Sequence, residues 1–145
     1  MAFTGNWTTN TFKVGILNGT FNFNTGTSQV FKIALYTNAA TLDATTAAYT
    51  ATGEVSGSGY TAGGQTLTIA QIPTVGSTGT TAYLSFSNVS WTSSFTARGA
   101  LIYKANGTTN PTVCVLDFGS DKSSSATFTI QFPDPSNTSA IIRIS

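Results

Sequence analysis

Apolar and polar side chains alternate along this chain in short period-two runs separated by clusters of Gly, Asn, Pro and Ser, the pattern of strands half buried against a core. Phe31, Ile33 and Leu35 share one face of a first strand, with Lys32, Ala34 and Tyr36 on the other. Leu67, Ile69 and Gln71 alternate with Thr66, Thr68 and Ala70. Pro73, which lacks a ladder N–H, is expected to close that strand. Ala82, Leu84 and Phe86 define a third, and Phe128, Ile130 and Phe132 alternate with Thr127, Thr129 and Gln131 in another. Phe95 to Tyr103, apart from Thr96 and Arg98, and Val113 to Phe118 are apolar on both faces, as central strands covered on both sides must be. Ala140 to Ile144 and a weaker run near Gly53 to Gly59 bring the total to about eight strands.

Short strands at this spacing without a long helical pattern predict an all-β fold, an antiparallel two-sheet sandwich that is jelly-roll-like. Asn10 to Leu17 reads in two ways. It is either one short N-terminal helix, capped by Thr11 with Phe12, Ile16 and Leu17 clustered on one side, or a short strand favoured by Gly15 and the β-branched residues. No composition break divides the chain, so residues 1–145 are expected to form a single domain with 1–11 as an N-terminal arm. The glycine-rich stretch Gly53 to Gly64 permits positive φ and close backbone approach. It is not followed by the helix N-terminus and Lys that a phosphate cradle needs, so it is read as structural.

Composition narrows the chemistry. Ten Phe, five Tyr and two Trp supply large rings for the core, whereas charged residues make up only 8% of the chain, so Thr, Ser, Asn and Gly must wet the surface. The six Lys and Arg are scattered singly, which leaves no basic stripe to track phosphates and excludes nucleic acid as a main partner. Low charge also removes the self-repulsion that keeps domains apart, so packing against neighbours is tolerated. The lone Cys114, in an apolar run, builds neither a disulfide framework nor a zinc site and is expected as a small buried hydrophobe. The stretch Met1 to Trp7 has neither the basic start nor the apolar core of a signal peptide, and no stretch approaches membrane-spanning length. A soluble, intracellularly made protein with no membrane partner is expected.

The absence of histidine removes the commonest general base and metal ligand. Five acids remain: Asp43, Glu54, Asp117, Asp121 and Asp134. Asp117 and Asp121 are the closest pair, in a segment that reads as a turn in which Asp accepts backbone N–H bonds. No cofactor, metal or catalysis is expected. Arg98 stands out because it interrupts an apolar strand. It is expected either to pair inside the fold, with Glu54 or Asp117, or to contact a neighbouring subunit. Phe3 and Trp7 in the arm are candidate anchors into a partner protein, with packing back onto their own domain as the other reading. Trp91 borders a strand and reads as a core or edge ring.

Several segments in order resemble small virion proteins of tailed bacteriophages. They are Phe12-Lys13, Leu17-Asn18-Gly19, Phe31 to Tyr36, Gly53-Glu54-Val55, Gly59 to Gly64, Trp91, Phe95 to Tyr103 and Leu116 to Lys122. The resemblance implies a capsid decoration, or cement, protein made in the host cytoplasm. It would sit on the outer capsid surface, bind major capsid protein and itself as homo-dimer or homo-trimer, and stabilise the contacts between shell subunits. It transfers no functional residues. The alternative expectation is a phage tail or fibre module that binds host-surface glycan through Trp7 or Trp91.

Overall fold

The computed structural model describes residues 3–145. Its strands are β1 (Trp7–Thr8), β2 (Phe31–Tyr36), β3 (Gln65–Thr66), β4 (Ile69–Val75), β5 (Ala82–Phe86), β6 (Val89–Trp91), β7 (Thr96–Lys104), β8 (Thr112–Ser123), β9 (Phe128–Ile130) and β10 (Ile142–Ile144), with one helix, α1 (Asn10–Leu17), between β1 and β2. A five-stranded antiparallel sheet runs β1-β8-β7-β2-β3, and two smaller sheets, β10-β5-β4 and β6-β9, make the second layer. The all-β, sandwich-like expectation therefore holds. The second layer is split in two, and the strand count exceeds eight because strands of two or three residues are too short to show a period.

The five-stranded sheet is covered on both faces, which explains its two-sided apolar strands. Phe31, Ile33 and Leu35 of β2 and Ala100 and Ile102 of β7 face a large core closed by Leu84, Phe86, Trp91, Phe128 and Ile142 of the small sheets. Ala34 and Tyr36 of β2, Leu101 and Tyr103 of β7 and Val115 of β8 face a second cluster, closed by Phe3, Ala40 and Leu42. Both faces of β2 are thus buried, as are those of β7, where sequence alternation alone suggested a single core side for β2. Phe12, Phe21, Phe23, Phe31 and Phe86 form a continuous ring network in the large core, tightest where Phe23 stacks on Phe31 at 4.3 Å.

Four local expectations are corrected. Asn10–Leu17 is the helix, but Thr9 caps it: extended and wholly buried, its hydroxyl accepts the Phe12 N–H at 3.1 Å, while Thr11 lies within the first turn. Ile16 and Leu17 do not join Phe12 against the core but are exposed, Leu17 by 88%. The face that packs is Phe12 and Gly15, because Phe21 lies where a side chain on Gly15 would stand. Pro73 does not close its strand; it sits inside β4 where the register slips between Gln71 and Thr74. An edge strand at a bulge tolerates the missing N–H. Gly53 to Gly59 is a loop rather than a strand and meets β2 through a single bridge between Tyr36 and Glu54, the Val55 N–H donating to the Leu35 carbonyl at 2.8 Å.

Among the glycines, Gly64, just before β3, makes the closest backbone approach. Gly64 has φ +71°, and a Cβ on it would stand 1.8 Å from the Ile33 carbonyl oxygen. Gly64→Ala is therefore expected to lose at least about 3 kcal/mol, or to fail to fold. Gly107→Ala, at φ +77° with nothing within 4 Å, should cost about 1 kcal/mol from backbone strain alone. Urea denaturation of the two variants checks this; equal midpoints would refute the steric account.

Candidate functional site

The N-terminal segment is a strap laid on the sheet rather than a free arm. Residues 1 and 2 of the expected arm lie outside the described residues, but β1 pairs with β8, Trp7 opposite Val115 and Thr8 opposite Cys114. Phe3 is 2% exposed, so in the folded chain it fills a socket of its own domain and is not presented to a partner. The socket lies where the β7–β8 ladder slips, β8 advancing five residues from Asp117 to Lys122 against two from Ala97 to Gly99 in β7, and there Arg98 and Gly99 both turn toward the Phe3 ring. Gly99 leaves room for it: a Cβ there would lie 2.4 Å from the ring.

Arg98 resolves between its two candidate partners. Its Nη2 is 3.0 Å from Asp117 Oδ1, both side chains being largely buried, and its guanidinium lies 6.0 Å from the Phe3 centroid. The same carboxylate oxygen accepts the Gly119 N–H at 2.8 Å, the local backbone bond expected of Asp117, although the segment expected as a turn runs on as strand β8. The Asp117 N–H donates to Asn6 Oδ1 at 2.7 Å, which ties the strap to β8 a second time.

Glu54 is held differently. Its Oε2 accepts the Tyr49 hydroxyl at 2.6 Å, and its Oε1 accepts the Tyr60 hydroxyl at 2.8 Å and the Gly63 N–H at 2.7 Å. The Tyr60 oxygen accepts the Leu35 N–H at 2.8 Å, the Tyr36 hydroxyl donates to the Thr50 carbonyl at 2.6 Å and the Tyr103 hydroxyl donates to the Gly63 carbonyl at 2.8 Å. This network pins the long loop between β2 and β3 to the sheet beneath it. Nothing local in the sequence announces it, since the tyrosines come from three separate segments.

The remaining acids stand apart. Asp43 closes a turn, its carboxyl held below the usual carboxylate range by the Thr45 hydroxyl and N–H. Asp121 and Asp134 are exposed. Four surface grooves among the described residues, of 160 to 470 Å³, have no carboxylate in their linings. No group of three or more His, Cys, Asp or Glu converges among the described residues. Cys114 is buried, and burial pushes its thiol up to about 12, where it is a poor nucleophile at neutral pH. Among the described residues no helix is long and apolar enough to cross a membrane.

What the surface does offer is apolar. Val14, Ile16 and Leu17 of α1, Ile72 and Val75 of β4 and Ile144 of β10 are exposed. Ile16 and Ile144, with Phe12, Pro73 and Ala82, line an apolar groove between the helix and the three-stranded sheet. The register explains it. Ile144, Ala82 and Val75 stand side by side across β10, β5 and β4, one step beyond the buried pair Ile142 and Leu84, so the core-facing side of this sheet overhangs the core. Sequence reasoning missed this rim because the same period-two pattern that marks a core face continues past the core's edge. Trp7 is 40% exposed, whereas Trp91 is 2% exposed and packs among Tyr60, Phe95 and Phe128, so Trp91 is no glycan platform.

No family model, curated protein or solved structure matches the chain. The likeness to phage virion proteins therefore rests on the quoted residues alone.

The tyrosine network has a pH signature. Burial raises the pKa of Tyr36, Tyr49, Tyr60 and Tyr103, and the charge of Glu54 adds to each; Tyr103 is pushed up to about 12. With the folded values above the unfolded ones, the native state holds more protons once the unfolded chain begins to ionise near pH 10. Stability from these groups is complete below that pH and is lost above it. Urea midpoints should hold steady to about pH 9.5 and then fall steeply, with tyrosinate absorbance appearing together with unfolding. A flat midpoint to about pH 11.5 would contradict the burial of these phenols.

Proposed function

We propose that this protein is a decoration (cement) protein of a tailed-bacteriophage capsid, binding the outer shell and stabilising contacts between major capsid protein subunits. The observation that carries the reading is the apolar rim of α1, β4 and β10 on a surface with few charges. Exposed Ile16 and Ile144 gather with Pro73 around one apolar groove, a grouping that marks an interaction surface, and burying them against a shell supplies affinity without catalytic or cofactor chemistry. The ordered resemblance of Phe31 to Tyr36, Phe95 to Tyr103 and Leu116 to Lys122 to phage virion proteins supports the same reading. In this proposal the partners are major capsid protein and further copies of the chain, as dimer or trimer, with no role for nucleic acid or membrane.

The mechanism is mass action. A protein that binds the assembled lattice but not free subunits raises the free energy of shell opening, and repetition over many lattice positions multiplies a modest contact. The Glu54 network and the Arg98–Asp117 pair pin the protein's own loop and N-terminal strap, which suits a rigid clamp.

Shells assembled without the protein should take it up saturably in many copies and gain heat and osmotic resistance. Ile16→Asp combined with Ile144→Asp, both at exposed positions on the groove, should weaken uptake at least about tenfold while leaving the isolated protein folded. Quantitative electrophoresis of particles and their melting curves give the readout. Particles equally robust without the protein, or copies confined to the tail, would defeat the proposal.

A further inference from the structure

The triplet Asn-Gly-Thr occurs twice in the chain, from Asn18 to Thr20 and from Asn106 to Thr108. An asparagine followed by glycine is open to attack by its own main chain, because glycine carries no side chain to hinder its nitrogen from reaching the asparagine side-chain carbonyl carbon. The two local sequences are identical, so a difference between the sites in the folded protein is set by what surrounds them. Asn106 is caged. Its Oδ1 accepts the N–H groups of Thr108, Thr109 and Asn110 at 3.2, 3.1 and 2.8 Å, and its Nδ2 donates to Thr109 Oγ1 at 3.1 Å. The group that would attack, the Gly107 N–H, is itself held by Asn110 Oδ1 at 3.1 Å. Ring closure there requires the whole loop to open.

Asn18 is placed differently. It ends α1 at φ −104° and ψ 5°, followed by Gly19 at φ +77°, and the Thr20 N–H returns to the Gly15 carbonyl at 2.8 Å. Among the described residues the Gly19 N–H has no acceptor, and nothing lies within 4 Å of where a side chain on Gly19 would stand. The Asn18 side chain is bonded to Thr20 alone, whose N–H and hydroxyl both donate to Oδ1, at 3.1 and 2.5 Å. Two donors on that oxygen draw electron density from Cγ and face the charge that develops when a nucleophile adds there. Asn18 is exposed on a groove along the outer side of α1, so the one rotation that ring closure needs, about its Cα–C bond, moves a helix end that frays rather than a packed segment.

We propose that Asn18 is a self-modification site, converting to aspartate and isoaspartate in the folded protein while Asn106 is protected. Hydroxide takes the Gly19 amide proton, and the nitrogen adds to Asn18 Cγ. The N–Cγ bond forms as the Cγ–Nδ2 bond breaks, and Nδ2 leaves as ammonia with a proton from water, which restores the hydroxide. Water then opens the cyclic imide at either carbonyl, giving aspartate when the new bond is cut and isoaspartate when the original peptide bond is cut. Either product puts a negative charge at the carbonyl end of α1, where the helix dipole is already negative. Isoaspartate also lengthens the main chain just before Thr20, whose N–H must reach Gly15 and whose carbonyl accepts Lys104 Nζ at 2.6 Å, so the tie between the helix end and β7 is lost. The formal net charge of the chain falls from +1 to zero, where association is favoured. None of this depends on the capsid reading.

The test is peptide mapping by mass spectrometry of the full chain stored folded at neutral pH in heavy-oxygen water, which labels each carboxylate made from an amide, with an isoaspartate-specific methyltransferase to count the isomer. Asn18 should convert at least about tenfold faster than Asn106 in the folded chain, whereas the same chain unfolded in urea should convert both at similar rates. Asn18→Gln, whose longer side chain disfavours ring closure, should abolish the acidic species that isoelectric focusing resolves. Asn110→Gly accommodates the positive φ of 41° at that position and removes the acceptor of the Gly107 N–H, so it should raise the Asn106 rate toward that of Asn18. Melting curves check that both variants keep the fold, and the comparison of folded with unfolded parent chain needs no variant. Absence of label at Asn18, conversion of Asn106 as fast as Asn18 in the folded chain, an acidic species that persists in Asn18→Gln, or an unchanged Asn106 rate in Asn110→Gly would each overturn the proposal.

Discussion

The layers of this molecule are set by the need to bury both faces of β2, of β7 and of the first part of β8, residues 112–115. Three adjacent strands apolar on both sides cannot be covered by one partner sheet. At about 25 cal/mol per Å² of apolar surface removed from water, leaving the second face wet would forfeit much of the driving force for folding. One face takes the small sheets and the phenylalanine network. The other takes Phe3, Ala40 and Leu42, drawn from the N-terminal strap and the loop after β2. Irregular segments thus do the work of a third layer.

Irregular cover brings backbone polar groups close to an apolar surface, where each needs a partner. The chain meets this with uncharged or locally paired groups. The Thr9 hydroxyl donates toward the Thr112 carbonyl, and the Thr112 hydroxyl, 3.0 Å from Thr9 Oγ1, donates its one proton to the Thr46 carbonyl, which joins α1, β8 and the loop at one point. Glu54 gathers two phenols and an amide, and Arg98 and Asp117 satisfy each other beside Phe3. A chain with so few charges spends two of its acids on such internal ties, leaving a surface whose interactions are set by shape, apolar area and single donors.

That surface is divided. On one face of β10 the overhanging sheet and the outer side of α1 present aliphatic groups, suited to a broad protein contact. On the other, Arg143 borders a mixed groove between the β1 edge and the segment that enters β10. The two faces belong to one strand, so a molecule seated by its rim turns the groove elsewhere.

The strands with the clearest alternation, β2, β5 and β9, and the two-sided β7 and β8 were legible from sequence alone, because side-chain period and burial are local consequences of the extended backbone. The same is true of the backbone bond accepted by Asp117 and of the sparse, imidazole-free chemistry, whereas Asn10–Leu17 read equally as helix or strand and the segment after Asp117, expected as a turn, runs on as β8. Only the tertiary structure decided that Thr9 rather than Thr11 caps the helix, that Pro73 lies at a bulge and that Gly53 to Gly59 is loop. It also decided that Phe3 is buried while Trp7 is not and that Arg98 takes Asp117 rather than Glu54. Each of these depends on which distant segment arrives alongside. A local pattern states how much a side chain gains from burial but not which neighbour will bury it.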